Sequence, residues 1–124
     1  MSYNISQQRN NLIGGSLSMV FNTGAALLDA IVLAVVSKEE EGTYGYKITQ
    51  DVRSVLDISE STLYPVLRRL MKDDCLAVYD MEYGGRNRRY YKITEKGYAQ
   101  LKLYRSEWSE YSGKISRLFE GRTL

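Results

Sequence analysis

Gly84-Gly85-Arg86-Asn87 separates two runs of strand-forming residues, and this segment constrains the fold more than any other. Residues 76–83 and 88–94 are rich in Tyr, Val and Ile, side chains that suit a pleated, half-buried surface. Two such runs joined by a glycine-bearing loop read as a β-hairpin. Around it the chain is written in helical periods. Residues 24–37 are apolar on nearly every side, as in a central helix. Lys38-Glu39-Glu40-Glu41-Gly42 ends that helix with charge and a glycine stop. Residues 44–56 place Ile48, Val52, Val55 and Leu56 on one helical face.

Asp57-Ile58-Ser59 then makes a turn, with Asp57 or Ser59 as the cap of any helical turn that precedes the next regular helix. This third helix runs from near Ser61 to about Asp74, with Leu63, Leu67, Leu70 and Met71 turned inward. Pro65 requires its regular part to begin close by, because proline costs a backbone bond deeper in a helix. Residues 95–119 form a last, long helix. The order helix, helix, helix, hairpin, helix predicts an α+β fold, mostly α: a winged helix-turn-helix with a long C-terminal dimerisation helix. Residues 1–22 read as an N-terminal arm interrupted by Asn10, Asn11, Gly14 and Gly15. Residues 23–94 read as the winged helix domain, and 95–124 as the dimerisation helix.

Composition removes several function classes. The chain of 124 residues has no histidine, which excludes histidine triads, zinc-histidine sites and histidine proton shuttles. Cys75 is the single cysteine, so no internal disulfide forms, in keeping with a reducing compartment. It follows Asp73-Asp74, acids that disfavour the thiolate, and reads as a small buried hydrophobe. With no metal cluster and no glycine-rich phosphate loop, no enzyme, metal site or cofactor is expected. Residues 24–36 are too short for a membrane span, which needs ~20 apolar residues, and carry Asp29. The first twenty residues lack a charged start and an apolar core, so no secretory leader is expected and the location is cytoplasmic.

Charge is polarised although the net is only +2. Between Ser61 and Lys92 seven bases face four acids, leaving +3; between Ser37 and Glu60 three bases face six acids, leaving −3. The third helix presents Ser61, Thr62, Tyr64, Arg68, Arg69 and Lys72 outward, and in helix-turn-helix proteins the start of this helix meets base edges. Hydroxyls bond bases or phosphates, and arginines neutralise phosphate or read guanine. The hairpin adds Gly85, Arg86, Asn87, Arg88 and Arg89, a density of arginine suited to an anionic partner. Arg88 and Arg89 alternate faces, so one of them pairs with an acid such as Asp80 or Glu82. This is the footprint of double-stranded DNA. A winged-helix module that binds only proteins is the alternative, and the arginine-rich loop argues against it.

In the last helix Leu101, Tyr104, Trp108, Tyr111, Ile115 and Leu118 repeat at alternating spacings of three and four. One side of that stripe could dock on the chain's own first helix; a second copy accounts for it better and suits a palindromic DNA site. Tyr104, Trp108 and Tyr111 are bulky for a tight seam. They leave two readings open: a packed aromatic interface, or a slot for a flat aromatic or cationic molecule.

Four segments in order carry a family resemblance: Thr43-Tyr44-Gly45-Tyr46, Ser61-Thr62-Leu63-Tyr64-Pro65-Val66-Leu67-Arg68-Arg69-Leu70, Gly85-Arg86-Asn87-Arg88-Arg89-Tyr90-Tyr91, and Thr94-Glu95-Lys96-Gly97. Together they resemble the PadR family of bacterial transcriptional regulators over roughly residues 24–118. The single C-terminal helix is similar to the short branch of that family, which includes multidrug-responsive repressors. The resemblance implies a dimeric repressor that binds promoter DNA and is released by an effector. It implies DNA contacts at Tyr46, Ser61, Thr62, Tyr64 and the wing from Gly85 to Arg88, and a ligand contact at Trp108.

Overall fold

GAALLDAIVLAVVS has no residue that opposes a helix beyond its first, and it folds as α1, Gly24–Ser37. The computed structural model describes residues 24–121, so the arm assigned to residues 1–22 lies outside the described residues. Val32, Leu33 and Val36 of α1 are fully buried. The helix stops as Gly42, at φ +104°, reverses the chain. A side chain at Gly42 would collide with Tyr79, whose hydroxyl donates to the Glu41 carbonyl.

The turn delivers Thr43–Tyr44, a two-residue strand β1, and not the start of a helix. Tyr44 has extended backbone and pairs with Tyr90, far along the chain. The second helix is therefore shorter than its periodicity predicts: α2 is Gly45–Arg53, with Ile48, Thr49 and Val52 buried. Since α2 ends before Val55, the helical spacing no longer carries that residue to the core, and it is 81% exposed.

Ser59 caps α3, Glu60–Lys72, by accepting from the Thr62 N–H at 3.3 Å. Leu63, Val66, Leu67 and Leu70 are buried, and Met71 is only partly so. Asp74 adopts φ +61° beyond the helix and turns the chain into β2, Leu76–Tyr83. The hairpin turn is tighter than a four-residue loop. Gly84 and Gly85, at φ +61° and +82°, make it alone, as a two-residue turn with both central φ values positive requires. Arg86 and Asn87 belong to β3, Arg86–Ile93, opposite Tyr83 and Glu82. The antiparallel sheet has the order β1-β3-β2.

α4, Glu95–Phe119, starts from a built cap. Thr94 Oγ1 accepts from the Gly97 N–H at 2.9 Å and donates to the Asp74 carbonyl at 2.7 Å. Two compact units divide the chain. Leu28–Lys102 is one, and its core is built from α1, α2, α3, the base of the sheet at Leu76 and Ile93, and Leu101. The other contains, among the described residues, 24–27 and 103–121. No helix among the described residues is long and apolar enough to cross a membrane.

Candidate nucleic-acid interface

The start of α3 carries a cluster of hydroxyls. Ser59 Oγ lies 3.0 Å from Ser61 Oγ and 2.9 Å from Thr62 Oγ1, and all three residues are exposed. The cap that starts the helix thus also orients the two hydroxyls placed first on its outer face. Arg68 and Lys72 are exposed further along and form no ion pair among the described residues. Arg69 differs from the sequence expectation. It turns to α1, where Nη2 lies 2.5 Å from Asp29 Oδ1 and Nε lies 3.3 Å from Oδ2. A two-point pair on a nearly buried carboxylate holds α3 to α1, so the guanidinium of Arg69 is engaged within the fold.

Strand register sorts the wing's charges. Tyr79, Met81 and Tyr83 of β2 stand opposite Tyr90, Arg88 and Arg86 of β3, and these six share one face of the sheet with Tyr44. Asp80, Glu82, Arg89 and Asn87 take the other face. There Arg89 Nε approaches Asp80 Oδ1 at 4.0 Å, so one of the two adjacent arginines meets an acid as their alternation requires. Arg88 is half-buried, with its guanidinium carbon 4.2 Å from the Tyr44 ring centre and 4.3 Å from that of Tyr83. Arg86 is exposed beside the turn.

Between α3 and the wing lies an open cleft of about 400 Å³, lined by Tyr44, Gly45, Tyr46, Tyr64, Arg88, Arg89 and Tyr91. Tyr46 is 55% exposed, and its hydroxyl accepts from Gln50 Nε2 at 2.8 Å. Gly45 lies against the Tyr64 ring, at a distance where a Cβ would make an ordinary contact of 3.4 Å. Four elements thereby bring Tyr46, Tyr64 and Arg88 to one opening.

The stripe on α4 divides in two. Leu101 and Tyr104 are buried within the single chain and have little surface left for a partner. Trp108, at 47% exposed, Leu118, at 62%, and Phe119, at 87%, are open, with Tyr111 and Ile115 half-buried between them. The Trp108 and Tyr111 rings lie 6.4 Å apart. Next to Trp108, Glu107 is only 5% exposed, and its Oε1 has no hydrogen-bond partner among the described residues. Burial holds its carboxyl above the usual range, and Glu110 adds to this while Lys114 opposes it. No group of acids or cysteine suited to a metal ion occurs among the described residues.

The model of the transcriptional regulator PadR-like family matches residues 32–103. This chain belongs to the PadR-like family. A Streptococcus mutans UA159 protein of known crystal structure is similar at 40% identity and a TM-score of 0.73, over 82% of this chain and 93% of that one. A PadR-like transcriptional regulator from Bacillus cereus strain ATCC 14579 is 27% identical with a TM-score of 0.70, over 84% of this chain and 98% of the other. A Lysinibacillus sphaericus protein is 36% identical over 100 residues, which are 76% of this chain and 89% of its own. The fold is the winged helix of PadR-like proteins, and membership makes the chain a DNA-binding transcriptional regulator rather than an enzyme.

Seen as a PadR-like wing, the sheet contains residues that sequence reasoning passed over. Tyr79, Tyr83 and Tyr90 of the hairpin line up on one face with Tyr44 of β1, with Tyr90 stacked on Tyr79 at 5.6 Å and edge-on to Tyr44 at 5.8 Å. Their alternation along residues 76–83 and 86–93 was the available signal, once the turn is reduced to two glycines.

Proposed function

We propose that this PadR-like protein is a cytoplasmic, dimeric repressor that binds promoter DNA. In this reading the start of α3 enters the major groove with Ser61 and Thr62, and Tyr46 and Tyr64 take backbone phosphates. Arg68 and Lys72 neutralise phosphate, and Gly85, Arg86 and Asn87 at the tip of the wing reach the neighbouring minor groove. The observation that carries the reading is the cleft shared by Tyr46, Tyr64 and strand β3, which puts reading helix and wing on one surface. The partner copy covers the open half of the α4 stripe, from Trp108 through Tyr111 and Ile115 to Leu118. An effector class fits the same place: a flat aromatic or cationic molecule between the Trp108 and Tyr111 rings of two copies, with buried Tyr104 on the same helical stripe.

Fluorescence anisotropy with the DNA upstream of the gene, titrated at several salt concentrations against a scrambled duplex, tests the DNA reading. The expected result is preference for the upstream duplex, two chains per site, and a log–log salt slope that falls by about one unit in Arg86→Ala. Equal affinity for both duplexes removes upstream DNA as the operator, and an unchanged slope in Arg86→Ala removes the wing assignment. Titration with a Hoechst-type dye tests the effector: quenching of the single tryptophan supports it, and unchanged emission at saturating dye refutes it.

A further inference from the structure

We propose that Arg88 is a positioning residue that pins the wing to the start of α2, and that its guanidinium is held for this purpose rather than for a phosphate. The proposal rests on reading the wing as a DNA-contacting element. Three arginines crowd β3, and each sits differently. Arg86 is exposed beside the turn, and Arg89 lies on the opposite face near Asp80. Arg88 alone of the three lies over aromatic rings among the described residues, with its guanidinium carbon 4.2 Å from the Tyr44 ring centre and 4.3 Å from that of Tyr83.

The two rings belong to different parts of the molecule. Tyr44 is the residue from which α2 starts, and Tyr83 is the last residue of β2 before the glycine turn. One β3 side chain therefore ties the root of the reading motif to the tip of the hairpin. The tie is needed because β1 pairs only as far as Tyr90. Beyond that point the wing is a two-stranded ribbon, which holds its shape poorly alone. Below Arg88 the contact continues inward: Tyr44 packs edge-on against Tyr90, Tyr90 stacks on Tyr79, and the Tyr79 hydroxyl bonds the Glu41 carbonyl. The rows of the sheet place all these side chains on one face, so the series is continuous from the loop after α1 to the wing tip.

A pin and a phosphate ligand differ in what their loss does. The full-length protein and its Arg88→Met, Tyr83→Leu, Tyr83→Phe and Arg86→Ala variants are compared without DNA by ¹⁵N relaxation of the amides from Gly84 to Asn87. Order parameters near ~0.85 are expected for the wild type and Tyr83→Phe, which keeps the ring, and a fall toward ~0.6 for Arg88→Met and Tyr83→Leu. The same proteins are titrated onto a random-sequence duplex and onto a duplex selected from a random pool. Arg88→Met should bind the selected duplex roughly tenfold more weakly and keep the wild-type salt slope, whereas Arg86→Ala loses about one unit of slope. Unchanged wing-tip order in both Arg88→Met and Tyr83→Leu overturns the pin. So does a loss of about one slope unit in Arg88→Met, which would make Arg88 a phosphate ligand. If no duplex shows salt-dependent binding, the DNA reading falls, and the relaxation data still decide whether Arg88 holds the wing.

Discussion

Gly97 shows how closely the backbone of one element can approach another. A Cβ at this position would overlap the Cys75 carbonyl and lie 2.7 Å from Ile93 Cγ1. Backbone cannot move aside as a flexible side chain can, so Gly97→Ala is expected to destabilise the protein by about 2–4 kcal/mol in urea unfolding. Gly113→Ala, where nothing lies within 4 Å, serves as the control and should be neutral or slightly stabilising. Arg69 makes a similar point with charge. Removing it strands Asp29, which is nearly buried, so Arg69→Ala should cost about 2 kcal/mol of stability. The same variant should leave the salt slope of DNA binding as it was, whereas Arg68→Ala should lower it by about one unit. Equal slopes in the two variants would refute the division between a residue that holds α3 and a residue that faces outward.

At the scale of elements, the start of α3 joins stability to the proposed reading surface. Ser59→Ala removes the acceptor for the Thr62 N–H and should cost about 1 kcal/mol, while Ser59→Asp should keep most of the stability. A thermal melt of the three proteins checks this. The sequence narrowed the cap to Asp57 or Ser59 because capping is local, and the bounds of α1 and α4 were legible from their runs of helix-forming residues. What was not legible depended on distant partners. Tyr44 fits a helical period as well as a strand, and only its pairing with Tyr90 decides the matter. Once Tyr44 is taken by β1 and α2 stops at Arg53, Val55 loses the place on a buried face that its spacing suggested. The candidate site divides in the same way. Residue type proposes the hydroxyls of α3 and the arginines of the wing. It could not assign Arg69 to Asp29 or Arg88 to a pair of tyrosine rings, since those contacts need the register of a folded sheet and the packing of α1 on α3.

For the molecule as a whole, the open question in physical terms is what completes the second half of α4. Trp108, Leu118 and Phe119 are large apolar side chains left exposed, and buried Glu107 lies next to Trp108 with an oxygen unpartnered among the described residues. The two features make one joint prediction. In the single chain, burial raises the Glu107 carboxyl, so its folded state favours the proton more than the unfolded state does. The sign comes from linkage: the contribution to stability is fully present below the ordinary glutamate value of 4.5 and is lost as pH rises through the raised folded value. Glu107→Gln should therefore be the more stable protein at pH 7, and its advantage should close as the solution is acidified toward pH 4. Urea unfolding at both pH values, each at two protein concentrations, measures this and separates an effect within one chain from one that depends on the proposed dimer. If Glu107→Gln is instead less stable at pH 7, and the more so at the higher concentration, then a cation of the second copy meets Glu107 across the interface. The carboxylate would in that case be part of what selects the partner, since an unpaired buried charge favours the one assembly that neutralises it.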